Sequence, residues 1–231
     1  MTTQEKVQQV MQRLSNAAIR SGRQPEDITL IAVSKMHDIN EINDVLACGI
    51  ENLGENKVQE LNSKYDNIDK SVNWHLIGHL QTNKVKQIVD KVCLIHSVDS
   101  LHLAEEIDKR CKEIGKTMDI LIQVNVANEE SKFGVSCDEV LPLVNEIQKQ
   151  CSNVRVRGLM QIAPATDNPE EVRPYFRAAK QIFDKMPSAD ILSMGMSEDF
   201  EIAIEEGANM VRIGTMIFGE RNYNHGTEGQ I

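Results

Sequence analysis

Apolar positions along this chain follow two rhythms that alternate for nearly its whole length. Val7, Val10, Met11, Leu14 and Ala18 recur every three or four residues and predict an amphipathic helix over 3–21, stopped near Gly22. Residues 28–34, ITLIAVS, then read as a strand. Asp38 and Glu41 form a capping-box start for a helix carrying Ile42, Val45 and Leu46, ended by Gly49. The strand ENLGE precedes a helix with Val58, Leu61 and Tyr65 on one face, and VNWHLIG leads into a polar helix from about Thr82. VCLIHSV is the next strand, and Asp99 is the expected cap of a helix bearing Leu103, Ile107 and Cys111. MDILIQVNVA is the longest strand, and its helix carries Val140, Val144 and Ile147. After VRVRGLMQIA, the run Asn168-Pro169-Glu170-Glu171 predicts a helix start, with Val172, Phe176, Ala179 and Phe183 inward. ILSMG, a helix from about Glu198 closed by Gly207, and NMVRIG complete the pattern.

Eight strands, most of them separated by one helix, predict an α/β chain. Runs such as LIAV, CLI and DILIQVNV suit strands buried on both faces, as a parallel sheet requires. A (β/α)8 TIM barrel fits this pattern better than a doubly wound sheet, because no G-x-G-x-x-G follows the first strand. The expectation is a single domain over 1–231, with a flexible tail over about 220–231.

At 231 residues the chain is long enough for one such barrel, and its 41% hydrophobic and 26% charged content argues against a disordered or fibrous protein. A net charge of −10 argues against non-specific binding to nucleic acid or anionic membrane. No apolar run approaches the roughly 20 residues of a membrane span, and the N-terminus lacks a signal-like apolar region. The five cysteines contain no C-x-x-C and read as reduced thiols, so the expected location is the cytoplasm.

In such barrels the working face is built from the C-terminal ends of the strands. Those ends carry Ser34-Lys35, Gly54 to Asn56, His75 to His79, His96-Ser97, Asn125, Met160-Gln161, Ser193 to Ser197 and Arg212 to Thr215, a polar ring around one lysine. SMGMSED and VRIGTMIFGE place glycines and hydroxyls after the seventh and eighth strands, where barrels commonly bind phosphate. A phosphorylated aldehyde spanning these loops and Lys35 could form an imine, since desolvation keeps an amine nucleophilic. A Lys35 that reaches solvent along its aliphatic stem fits the same pattern.

The motifs AVSKMHD, LGENKVQEL, WHLIGHLQTNK, SVDS, KFG, RGLMQIAP and SMGMSEDFEIAIEEGANMVRIGTMIFG, in that order from about residue 5 to residue 221, resemble the pyridoxal-phosphate homeostasis proteins. The resemblance implies a fold-type III barrel similar to the N-terminal domain of alanine racemase, with Lys35 holding pyridoxal 5′-phosphate as an internal aldimine. By the same likeness Ser193 and Ser197, with the backbone of Gly214 and Thr215, hold the phosphate. Arg212 faces the pyridine nitrogen, Asn56 and His79 line the pocket, and Met160 sits beside the ring. The implied function is buffering or delivery of the cofactor without a committed reaction. Its implied partners are pyridoxal phosphate and dependent apo-enzymes, on a chain expected to be a monomer.

Two enzymatic readings compete: a weak racemase-like enzyme, and an aldolase-like barrel using Lys35 on a sugar phosphate. Against the first, alanine racemase draws its second acid–base group, a tyrosine, from a further domain. Here the barrel pattern ends near Gly219, and Tyr223 is expected to be an exposed tail residue. His75 and His79 read as loop histidines rather than a metal pair, and His37 as a solvent-facing loop residue able to shuttle protons. Glu198, Asp199 and Glu201 read as first-turn acids that complement a helix dipole.

Overall fold

Eight parallel strands close on themselves in chain order in the computed structural model, which describes residues 1–129, 131–186 and 188–219. They are β1 (Thr29–Val33), β2 (Asn52–Glu55), β3 (Asn73–Leu76), β4 (Leu94–Val98), β5 (Met118–Val124), β6 (Val154–Gln161), β7 (Ile191–Ser193) and β8 (Met210–Ile213). The barrel closes through β1 and β8, where Ile31 pairs with Arg212 and Ala32 with Ile213. The expectation of a TIM barrel therefore holds. The expected tail over 220–231, with Tyr223, lies outside the described residues.

The helices are α1 (Thr3–Arg20), α2 (Ile39–Leu46), α3 (Val58–Tyr65), α4 (Leu101–Ile114), α5 (Val140–Gln150), α6 (Arg173–Phe183), α7 (Phe200–Glu205) and α8 (Thr215–Phe218). Strand alternation sorts side chains into two apolar regions. Outward residues such as Leu53, Leu76, Ile95, Ile122 and Leu192 meet the helices in the main core. Inward residues Ile31, Leu94, Leu121, Met160 and Met210 form a small plug inside the barrel, of the kind that makes such barrels packed rather than hollow. The N-terminal helix α1 lies against α7 and α8, tied by Arg13 to Glu201 at 2.6 Å and by Arg20 to Glu205 at 2.9 Å.

Several local expectations shift. The segment Thr82–Gln87 is a 3-10 helix rather than an α-helix, because its apolar anchors Val85 and Ile88 sit three apart, the period of that tighter coil. Asn168 does cap a helix start, through Glu170 N–H at 3.2 Å, but of a 3-10 turn (Pro169–Val172) that leads into α6. On α6 Ile182 is buried beside Phe176 and Ala179, and Phe183 packs against the core while staying partly exposed. Ser100, not Asp99, caps α4, its hydroxyl accepting the Leu103 N–H at 3.3 Å. Asp99 points instead towards His79, 4.0 Å away.

Candidate functional site

The first strand delivers its lysine by alternation alone. Val33 and Lys35 turn inward and line a cavity of about 200 Å³ at the C-terminal mouth, while Ser34 between them turns outward. Behind the strand, the Ser34 hydroxyl donates to Glu55 Oε1 at 2.7 Å, and its carbonyl accepts from Lys64 Nζ at 2.8 Å. Lys64 is also 2.7 Å from both Glu55 and Glu60, and Glu60 accepts the Met36 N–H. This buried clamp grips the backbone on both sides of Lys35. Burial pushes the Glu55 carboxyl above its usual range, opposed by the Lys64 ammonium and the Ser34 hydroxyl.

The chain reverses directly after the lysine. The His37 N–H donates to the Ser34 carbonyl at 3.1 Å, and Met36 holds a left-handed φ of 65°, which lets so tight a turn close. His37 therefore folds back into the cavity wall, its ring stacked on Phe218 at 4.5 Å with only 8% of the side chain exposed. It does not face solvent as its loop position suggested.

Across the cavity stand Ser197 and Glu198 from the β7–α7 loop, with Gly214 and Thr215 after β8. Gly195 shapes the first of these loops: it holds φ of 95°, and a Cβ there would lie 2.6 Å from the Ala203 Cβ. Backbone N–H groups in the first turn of a helix have no partner within it, so both loops present donors as well as hydroxyls. Asp199 is buried rather than a surface acid, and accepts the Met196 N–H at 2.6 Å.

Arg212 forms the cavity floor and is 4% exposed. One terminal nitrogen donates to Ser193 Oγ at 2.6 Å and the other to the Gln161 carbonyl at 2.9 Å. Burial lowers its pKa to about 10, with Asp199 acting in the opposite direction, so the guanidinium stays charged at neutral pH.

Behind Arg212 a polar chain crosses the barrel, and the sequence pattern did not reveal it. Ser193 Oγ lies 3.1 Å from His96 Nδ1, His96 Nε2 lies 3.0 Å from His75 Nδ1, and His75 Nε2 lies 3.2 Å from Asn52 Oδ1. The chain has one consistent direction. The Asn52 oxygen only accepts, so neutral His75 donates from Nε2 and accepts at Nδ1 from His96 Nε2–H, and His96 Nδ1 accepts the Ser193 hydroxyl, whose oxygen accepts from Arg212. Burial pushes His75 down to about 4, and holds His96 well below its ordinary value with His75 and Arg212 adding to the effect. Both rings are neutral. His75 is a strand residue here, not the loop histidine expected, and among the described residues no His/Cys/Asp/Glu cluster could hold a metal. The signal in sequence was an alternating histidine in each of two neighbouring strands, VNWHL and CLIHS.

The fold thus gathers Lys35, Ser197, Arg212, Gly214 and Thr215 around one cavity, with Ser193 directly beneath, its hydroxyl already engaged by Arg212 and His96. The remaining expected residues lie apart from that cavity's lining. Met160 is packed into the apolar plug. His79 is exposed on the far rim, stacked on Phe133 at 3.8 Å. Asn56 sits half-buried after β2, its carbonyl so close to Gly78 that a Cβ there would approach to 2.4 Å.

A closed parallel barrel with a lysine, a buried arginine and two hydroxyl-bearing, glycine-shaped loops at one mouth defines a barrel built to take a small anion beside an amine. Comparison with known proteins makes this specific. Residues 7–222 match the family described as alanine racemase, N-terminal domain. A pyridoxal phosphate homeostasis protein of Aquifex aeolicus is 45% identical over 96% of this chain and 100% of its own length. The protein of the same name from Escherichia coli is 39% identical over 94% of this chain and 95% of its own. Among solved structures, PipY of Synechococcus elongatus with pyridoxal phosphate bound is 34% identical, with a TM-score of 0.77 over 91% of this chain and 100% of that one. An alanine racemase of Clostridium difficile shares the fold at 16% identity and a TM-score of 0.68, the match spanning 57% of its length. The chain belongs to the pyridoxal phosphate homeostasis family of alanine racemase-like barrels.

Proposed function

We propose that this protein binds pyridoxal 5′-phosphate reversibly on Lys35 and buffers or delivers it inside the cell, without a committed catalytic reaction. The observation that carries the reading is the convergence of Lys35 and the buried Arg212 on one cavity that also exposes Ser197, Gly214 and Thr215. The residues fit the cofactor chemically: an amine for its aldehyde, hydroxyl and backbone donors for its phosphate, and a fixed cation for its ring nitrogen. When bound, the cofactor supplies an electrophilic aldehyde and an electron-withdrawing ring.

This chain's own residues restrict the chemistry open to it. Arg212 stays protonated, so it donates a hydrogen bond and cannot take a proton from a ring nitrogen. Ser193 serves to aim Arg212, because its hydroxyl is shared between the guanidinium and His96. The phosphate-holding role then rests on Ser197 and the two loop backbones. Asn56, which follows the strand beside that of Lys35, and His79 line the mouth outside the cavity, and Met160 supports the floor from the apolar plug. The relatives' name, a homeostasis protein, supports a carrier over an enzyme. Dependent apo-enzymes are its proposed partners and a monomer its proposed state.

Absorption spectra before and after borohydride, followed by peptide mass mapping, test the reading. The expected result is a visible band that bleaches and leaves a pyridoxyl group on Lys35. A colourless protein that added pyridoxal phosphate cannot load overturns it, and favours an aldolase-like barrel if a sugar phosphate is trapped instead. Robust racemization of amino acids, lost in Lys35→Ala, points to the enzyme reading.

A further inference from the structure

Of the titratable groups lining the cavity, His37 and Glu198 are the two the proposed function leaves unused, and only His37 is buried. We propose that His37, oriented by Glu41, is the proton-transfer residue that speeds loading and unloading of an aldehyde on Lys35. The inference rests on Lys35 being the cofactor lysine.

Three observations support it. The turn from Ser34 to His37 puts the lysine and the imidazole two residues apart, with both on the same cavity wall. The ring is held, not loose: it stacks on Phe218 at an interplanar angle of 18°. Its Nδ1 lies 3.2 Å from Glu41 Oε2, an oxygen that also accepts the Asp38 N–H at 3.0 Å and is therefore fixed by the capping box of α2. A carboxylate oxygen accepts, so in the neutral ring Nδ1 carries the hydrogen and Nε2 keeps its lone pair. A base held by a carboxylate beside an amine is the arrangement general acid–base catalysis uses.

The reaction needs such a group. When the Lys35 amine joins an aldehyde, a carbon–nitrogen double bond forms, the nitrogen loses protons, and the aldehyde oxygen leaves as water carrying two. Unloading takes up one water and reverses every transfer. No oxidant or reductant enters. Of the other lining residues, Arg212 stays protonated and Glu198 is exposed on the outer rim.

A catalyst changes both rates and leaves the equilibrium alone, whereas a structural contact changes the equilibrium. The test mixes the full-length protein, stripped of cofactor, with pyridoxal 5′-phosphate and follows formation of the visible band, then its loss when the loaded protein is diluted. Wild type is compared with His37→Gln, His37→Ala and Glu41→Gln. Expected for His37→Gln are loading and unloading both slowed at least about tenfold, with Kd within about twofold of wild type. Added imidazole should restore much of the rate to His37→Ala. Glu41→Gln should fall between, and reports independently should the His37 variants fold poorly. Unchanged rates, or a weakened Kd carried by unloading alone, overturn the inference and leave the cofactor reading intact. A wild-type protein that takes up no pyridoxal phosphate overturns both.

Discussion

Lys64 is a second lysine at the barrel mouth, and its burial makes it informative. It neutralises Glu55 and Glu60 while holding the Ser34 carbonyl. Lys64→Met leaves Glu55 fully buried without its cation, a change that costs on the order of 3–5 kcal/mol. The Glu55 pKa is already raised above its unfolded value, so its contribution to stability is largest at low pH and is lost as pH rises through the folded value. The Lys64→Met defect should therefore deepen as pH rises above the ordinary carboxylate range in urea titrations, and Glu55→Gln in the same chain should remove that pH dependence. The paired histidines predict the opposite slope. His75 and His96 bind protons in the unfolded chain below about pH 6.5, but His75 resists until about 4 in the folded one. Their contribution is complete above the unfolded value and falls away as pH drops through that window. Melting temperature should decline from pH 7 to pH 5, more gently in His75→Gln than in wild type.

At the scale of elements, the site depends on short loops with demanding geometry. The β7–α7 loop turns at Gly195, whose positive φ and close approach to Phe200 and Ala203 exclude a side chain. Gly195→Ala should cost about 1–3 kcal/mol from backbone strain, and more where α7 must shift. Because Ser197 rides on that loop, affinity for pyridoxal phosphate should fall at least about tenfold, measured by titrating the visible band. By contrast, Ser100→Ala removes a helix cap remote from the cavity, costing about 1 kcal/mol. Cofactor affinity should not change.

For the whole molecule, closure of the sheet through β1 and β8 links the lysine strand directly to the arginine strand. Ile31 pairs with Arg212, so the two functional strands share a register that the entire barrel must close to create. A ligand bridging them binds only the folded chain and should raise its stability by about 2.7 kcal/mol at a hundredfold excess over Kd. Thermal unfolding with and without pyridoxal phosphate measures this. The increment should shrink sharply in Lys35→Ala, and a shift of the same size in that variant would place the binding elsewhere.

The order and type of nearly every element were determined by sequence, because hydrophobic period and turn chemistry are local properties. Lys35 was legible at once, as a cation ending an apolar strand, and the loops at 193–197 and 212–215 through their glycines and hydroxyls. Only tertiary structure decided which polar residues meet. Asn56, His79 and Met160 stand at strand ends just as Arg212 does, but Arg212 lines the cavity with Lys35 while Met160 packs into the apolar plug and His79 stacks on Phe133. The turn at Met36 made His37 a cavity residue instead of a surface one. Lys64 with Glu55, and His75 with His96, are separated in the chain and only become partners once neighbouring strands and helices are packed. Burial then decides their charge, since the cost of desolvation depends on what surrounds a group and not on the residues beside it in sequence.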